Sequence, residues 1–361
     1  MPQPRAAGVR RQPFGLTPAG EPASLFTLTN AHGLQAEITS FGGCMIRLLL
    51  PDRKGQFADV VLGHRTLPEY WAGDGYLGAL IGRVGNRIAG ACFSLDGQTY
   101  GLAANDAPGG RPCHLHGGPG GFHRVLWRAR PLRAGGAGLR LRYLSPDGQE
   151  GYPGNLAVTV DYRLTDADEL ILEYRAACDR ATPVNLTQHN YYNLGGEGSG
   201  DALGHLLTLH AGRFLPVGEG LIPTGELAPV AGTPFDFTRP TPMGARIGAA
   251  HPQLLCAGGY DHNWVIDRAR PGLAHAATAE DPHSGRRMEV WTDQPGIQFY
   301  SGNAIPASGS GKDGRPHRPH QGFCLETQHY PDAVHHPEFP SVILRPLETY
   351  RTTTVHRFSA G

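Results

Sequence analysis

Apolar residues in this chain recur at every second position, and that period constrains its fold more than any other feature. The run Leu156-Ala-Val-Thr-Val-Asp-Tyr-Arg-Leu164 alternates, as does Leu170-Ile-Leu-Glu-Tyr-Arg-Ala176, and turn-forming residues fill 165–169 between them. Successive side chains of a strand point to opposite faces, so the pair reads as a half-buried β-hairpin. Leu139 to Tyr143, Ala36 to Ser40, Ser94 to Tyr100, Met288 to Trp291, Ser341 to Arg345 and Tyr350 to Phe358 repeat the pattern. Turn signals return about every eight to twelve residues, the spacing of a large sandwich or barrel. The 51 glycines and 31 prolines, roughly twice their usual share, suit many short strands joined by tight turns. The expected fold is all-β, a large antiparallel β-sandwich with few short helices. Single turns of helix are expected at 67–71 and 242–248. Residues 1–24 are expected to be an N-terminal tail, its first dozen residues loose, and 25–361 a single domain. The polar loop 309–320 is expected to be a surface excursion.

Several function classes recede on composition. The 32 basic residues balance 32 acidic ones, which leaves no field for nucleic acid or an anionic membrane. No stretch approaches the roughly 20 apolar residues of a membrane span. Arg10-Arg11 is followed by no apolar core of signal length. Six cysteines are scattered without a C-x-x-C pair, so a reduced, cytoplasmic setting is expected. The 18 histidines include His317-x-x-His320 and His335-His336, but no H-E-x-x-H, and no metal is expected. Neither a nucleophile elbow nor a dinucleotide fingerprint occurs, and no cofactor is expected.

Polar clusters interrupt the strand pattern in a few places. Gly82-Arg-Val-Gly-Asn-Arg-Ile88 sets Asn86 and Arg87 after a glycine turn, either as a solvated turn or as a fork of donors for a polyhydroxyl or anionic ligand. In Cys113-His-Leu-His-Gly-Gly118 the two histidines alternate, so His114 and His116 face opposite ways and do not share a metal. Thr182 to Leu194 threads His189, Tyr191 and Tyr192 among amides and hydroxyls, either a solvated edge strand or the mixed polar and aromatic lining a sugar needs. Asp261 and Gln298 stand in two further glycine-framed segments. Finally, Phe323-Cys324-Leu325 runs directly into Glu326. A desolvated carboxylate costs several kcal/mol, so Glu326 either meets water at an edge or is held at a site for a purpose.

Taken in this order, Gly82–Ile88, Leu115–Gly118, Thr182–His189, Gly259–Asn263, Pro295–Tyr300 and Gly322–Gln328 resemble the galactose mutarotase (aldose 1-epimerase) family. The resemblance runs from about Leu25 to Phe358. It implies a sandwich with a sugar in a cleft across its concave face and a free aldohexose, such as D-galactose or D-glucose, as small-molecule partner. No macromolecular partner is implied. It places the acid–base pair on Glu326 and His189: Glu326 takes the proton of the C1 hydroxyl and His189 protonates the ring oxygen. It places substrate binding on Asn86, Arg87, His116, Tyr191, Asp261 and Gln298. The ordinary histidine pKa near 6.5 suits that exchange. Phe323 and Leu325 are expected to raise the pKa of Glu326 by desolvation and a nearby cation to lower it. Three departures stand out: Gly85 where the family has Ala, Tyr192 where it has Phe, and a longer segment at 107–114 beside His116, which bears on sugar preference. A sugar-binding module without catalysis and a hexose 6-phosphate epimerase are the alternatives. The latter needs a further cationic pocket, and Arg87 alone among these residues carries a clear permanent positive charge.

Overall fold

The alternating segments pair antiparallel into three large sheets in the computed structural model, which describes residues 7–73, 75–132, 136–305 and 311–361. The largest has nine strands, in the spatial order Arg128–Leu132, Ala137–Ser145, Leu156–Leu164, Glu169–Cys178, Tyr350–Ala360, Arg286–Thr292, Ala274–Glu280, Leu206–Leu209 and Thr241–Pro242. The hairpin read from the alternation is present, with Leu164 opposite Leu170. A five-stranded sheet holds Gly8–Leu16, Pro22–Thr29, Gln35–Thr39, Met45–Pro51 and Phe57–Asp59. A second contains Ala228–Pro229, Arg213–Leu215, Asp261–Val265, Gly296–Tyr300 and Cys324–Gln328.

All three sheets feed one apolar core: Phe26 and Leu48 come from the first five-stranded sheet, Trp264 and Phe299 from the second, and Leu139 and Val158 from the nine-stranded one. Burying each such side chain contributes about 1.5–3 kcal/mol. Thr327 and Thr354 place their hydroxyl oxygens 2.6 Å apart across the two layers. The arrangement is the antiparallel sandwich that the period of two implies.

Three local expectations change. Residues 8–16, expected within the N-terminal tail, form a strand paired along Pro22–Thr29, with the Arg11 Nε donating to Ser24 Oγ at 3.0 Å. The helix at 67–71 is present as Leu67–Ala72, but 242–248 turns without one, in keeping with its two glycines. The second helix is Pro252–Ala257, with Pro at its first position and His251 Nδ1 accepting from the Gln253 N–H. Of the loop 309–320, Gly309 and Ser310 lie outside the described residues, and the rest is no free excursion. Lys312 Nζ donates to the Ile46 and Val61 carbonyls, each at 2.7 Å, and pairs with Asp59 at 2.6 Å and Glu197 at 3.3 Å.

Buried arginines join the layers and loops. Arg286 donates to the carbonyls of Leu50, Leu194 and Gln56. Arg83 is 2% exposed and, among the described residues, has no hydrogen-bonded carboxylate. Its guanidinium donates to Ser145 Oγ (2.8 Å), Ser145 O (3.0 Å), Pro146 O (2.8 Å), Pro153 O (2.9 Å) and Thr182 Oγ1 (3.3 Å). Burial pushes its pKa down to about 10, which keeps it charged at neutrality. Arg83→Met, similar in length, would leave those acceptors unpaired inside the protein. The expected loss is about 3 kcal/mol, read as a lower midpoint in urea unfolding. An unchanged midpoint would show that this bond set is dispensable.

Candidate active site

Strand register assembles half of the site. In the second five-stranded sheet Asn263 pairs with Gln298 and Gln298 with Glu326, while Asp261 pairs with Tyr300 and Tyr300 with Cys324. Because side chains alternate, these two rows share one sheet face. Leu325 and Thr327 take the opposite face, toward the core and Thr354. Phe323 also belongs to the core, so neither apolar neighbour in sequence is what encloses the Glu326 carboxyl. Loops close over it instead. Thr187–Gln188 pairs with Leu80–Ile81 and carries His189 and Tyr191 above the sheet. Arg87–Ala89 pairs with Cys113–Leu115, which brings His116 beside Asn86. The glycine loops must touch for this: a Cβ on Gly117 (φ +82°) would lie 1.9 Å from the Gly82 carbonyl oxygen.

The result is a cavity of about 230 Å3. Of the eight residues expected, Asn86, Arg87, His116, His189, Tyr191, Asp261 and Glu326 line it. Gln298 does not; it sits behind Asp261, donating from its amide nitrogen to Asp261 Oδ1 at 2.7 Å. His114 points away, its Nδ1 2.7 Å from the Ala103 carbonyl, as the alternation requires. Tyr76, Asp106 and Tyr300 line the cavity without having been singled out individually. Tyr300 stood inside a marked polar cluster. Tyr76 and Asp106 lie in irregular segments, where no period signals a direction.

His189 Nε2 lies 3.6 Å from Glu326 Oε1, and both side chains are buried. The imidazole stacks on Tyr191, ring centroids 4.9 Å apart, and meets His116 edge-on at 5.1 Å. Its Nδ1 is 3.5 Å from Cys324 Sγ. Burial pushes the His189 pKa down to about 4 against the opposing charge of Asp261, well below the ordinary value the sequence led us to expect. Burial, helped by Asp261 and opposed by Arg87, raises Glu326 well above the usual carboxyl range. Burial therefore favours the neutral form of each group, which places a shared proton on the carboxyl. His116 is also held neutral, by burial and by the neighbouring His189. Its Nδ1 accepts from the Asn86 N–H at 3.1 Å, which puts its own proton on Nε2. Arg87 donates from Nε to Asp106 Oδ2 at 2.9 Å and from Nη1 to Asp261 Oδ2 at 3.4 Å. Burial alone would lower its pKa, and the two carboxylates outweigh that and raise it.

This geometry can bind a small polar molecule and exchange protons with it on one face. Donor atoms of His116, His189 and Glu326 lie within 4.8 Å of one another, a grouping that a divalent ion could draw together. The H-x-x-H histidines serve otherwise: His317 Nε2 is 3.5 Å from Glu197, and His320 Nδ1 is 2.8 Å from the Ser301 carbonyl.

A sequence profile of the aldose 1-epimerase family matches residues 24–357. The galactose mutarotase of Sus scrofa is 45% identical over 353 residues, which cover 98% of this chain and 99% of the relative. The aldose 1-epimerase of Escherichia coli is 36% identical over 347 residues, 96% of this chain and 98% of the relative. Among solved structures, the galactose 1-epimerase of Lactobacillus acidophilus has a TM-score of 0.86 at 25% identity, with 99% of this chain and 100% of that one covered.

The buried pair makes a direct prediction for the ligand-free protein. Followed by NMR downward from pH 8, the His189 ring should stay neutral through pH 6.5 and take up its proton near 4. His189→Asn assigns the resonance. A midpoint near 6.5 would show that burial does not govern this imidazole.

Proposed function

The chain belongs to the aldose 1-epimerase family, and from that premise we propose how its cavity carries out the isomerase activity. The substrate is a free aldohexose such as D-galactose or D-glucose, and Glu326 and His189 are the acid–base pair. The observation that carries this reading is the 3.6 Å approach of His189 Nε2 to Glu326 Oε1 on the wall of a cavity sized for one sugar ring.

Exchange of anomers requires the C1 hydroxyl to lose a proton, the C1–O5 bond to break and O5 to gain a proton. C1–C2 then rotates, and the steps reverse on the other face of the carbonyl. Glu326 as carboxylate accepts the C1–OH proton while His189 as imidazolium protonates O5. Ring opening leaves the proton on the carboxyl and the imidazole neutral, and reclosure restores the start. The directions in which burial shifts the two groups favour the proton distribution of the ring-open stage. Sugar hydroxyls donating to Glu326 Oε2, a buried oxygen with no partner among the described residues, would favour the carboxylate and move the proton to His189.

Other groups orient the ring. The His116 Nε2–H and Arg87 face the cavity as donors, Asp261 as an acceptor, and the Asn86 side chain and Tyr191 complete the wall. Gln298 acts through Asp261, holding one carboxylate oxygen and leaving the other to Arg87. All six cysteines are free, which supports a reducing, cytoplasmic setting, and no described helix is long and apolar enough to cross a membrane.

Polarimetry on freshly dissolved α-D-galactose and α-D-glucose tests the assignment. Glu326→Gln preserves shape but cannot cycle a proton, and should lose ~10²–10⁴-fold in kcat while still binding galactose. A variant as fast as wild type would remove Glu326 from the mechanism. The pH profile is a second test. The pair works while it holds one proton, so kcat/KM should run flat through pH 6.5 and fall near 4, where His189 and Glu326 are both protonated. An acid limb at 6.5 would contradict this.

A further inference from the structure

Arg87 is the only described side chain lining the cavity with a permanent positive charge, and two carboxylates already hold it. Asp261 takes Nη1 and also anchors Gln298, so it belongs to the binding floor. Asp106 takes Nε and lies nearer solvent, its side chain 26% exposed against 16% for Asp261 and 11% for Arg87. The backbone fixes Asp106 firmly. Its N–H donates to the Cys113 carbonyl, the Cys113 N–H returns the bond at 2.8 Å, and Asp106 Oδ1 accepts from the Ala107 N–H at 3.0 Å. The segment between lies within 107–114, one of the three departures from the family pattern read in the sequence, and Arg111 ties it across to Glu219 at 2.8 Å.

With one proton shared between Glu326 and His189, the formal count along the cavity is one guanidinium against two carboxylates, a net negative charge. An anionic ligand finds no unpaired cation there and meets repulsion at the rim. We propose that Asp106 is a specificity-determining residue that confines this site to uncharged aldoses and turns away those with an anionic group, uronates and sugar phosphates alike. It does so by occupying Arg87 Nε and adding a negative charge at the mouth. The proposal rests on the aldose reading of the cavity.

The test compares D-galactose, D-galacturonate and D-galactose 6-phosphate by NMR exchange between anomers, in wild type, Asp106→Asn, Asp106→Ser and Asp106→Glu. Wild type should favour galactose over either anion in kcat/KM, and added salt should narrow the gap. Asp106→Asn and Asp106→Ser should each raise the anion-to-galactose ratio about tenfold, mainly through KM and more for the phosphate. Asp106→Glu, which keeps the charge, should hold the ratio near wild type; a merely structural role would not separate it from the other two. The proposal is overturned if wild type handles galacturonate as well as galactose. It is equally overturned if neither neutral variant shifts the ratio while still turning over galactose. Wild type that fails to speed galactose at all would instead sink the aldose reading.

Discussion

The buried guanidinium of Arg83 is the joint on which the site depends. A planar fork of donors with no carboxylate to answer it among the described residues must find several acceptors in fixed directions, and it finds them at the rim of the nine-stranded sheet. That ties the loop carrying Asn86 and Arg87 to the sandwich. The contact of Gly117 with Gly82 then leaves one position for the loop carrying His116. Register does the same work from below, since antiparallel pairing sets Asp261, Gln298 and Glu326 on one face. The cavity is therefore a junction between a rigid sheet and loops locked from behind.

Low dielectric decides the electrostatics inside it. Burial drives the imidazole and the carboxyl toward their neutral forms, against the ordering of their free pKa values. Left to itself the pair keeps its proton on the carboxyl, so the hydroxyls of a bound sugar must supply the bias that moves it to the imidazole. Charges that cannot neutralise are paired instead, Arg87 between Asp106 and Asp261.

Much of this was legible in the sequence, and the reasons differ by element. Long strands such as Leu156–Leu164 declare themselves because one face is buried and the other less so. Glu326 stood out because a carboxylate inside an apolar run needs an explanation. Arg83 did not, since nothing distinguishes an arginine answered by carbonyls from one answered by water. Gly8–Leu16 was hidden because an edge strand with one partner carries weak alternation. The Asp106–Arg87 pairing joins residues nineteen apart in sequence through a loop with no period, and only the folded chain shows it. The depressed His189 pKa escaped for a related reason: enclosure is a property of the walls, which come from distant segments.

The two lysines have met opposite fates. Lys312 spends its ammonium group inside the protein, saturated by two carbonyls and two carboxylates, while Lys54 stands in an exposed turn. A folded molecule rich in arginine thus offers reagents that attack primary amines a single side-chain target. Amine chemistry would therefore reach Lys54 and the α-amino group of the chain, and neither is a cavity residue.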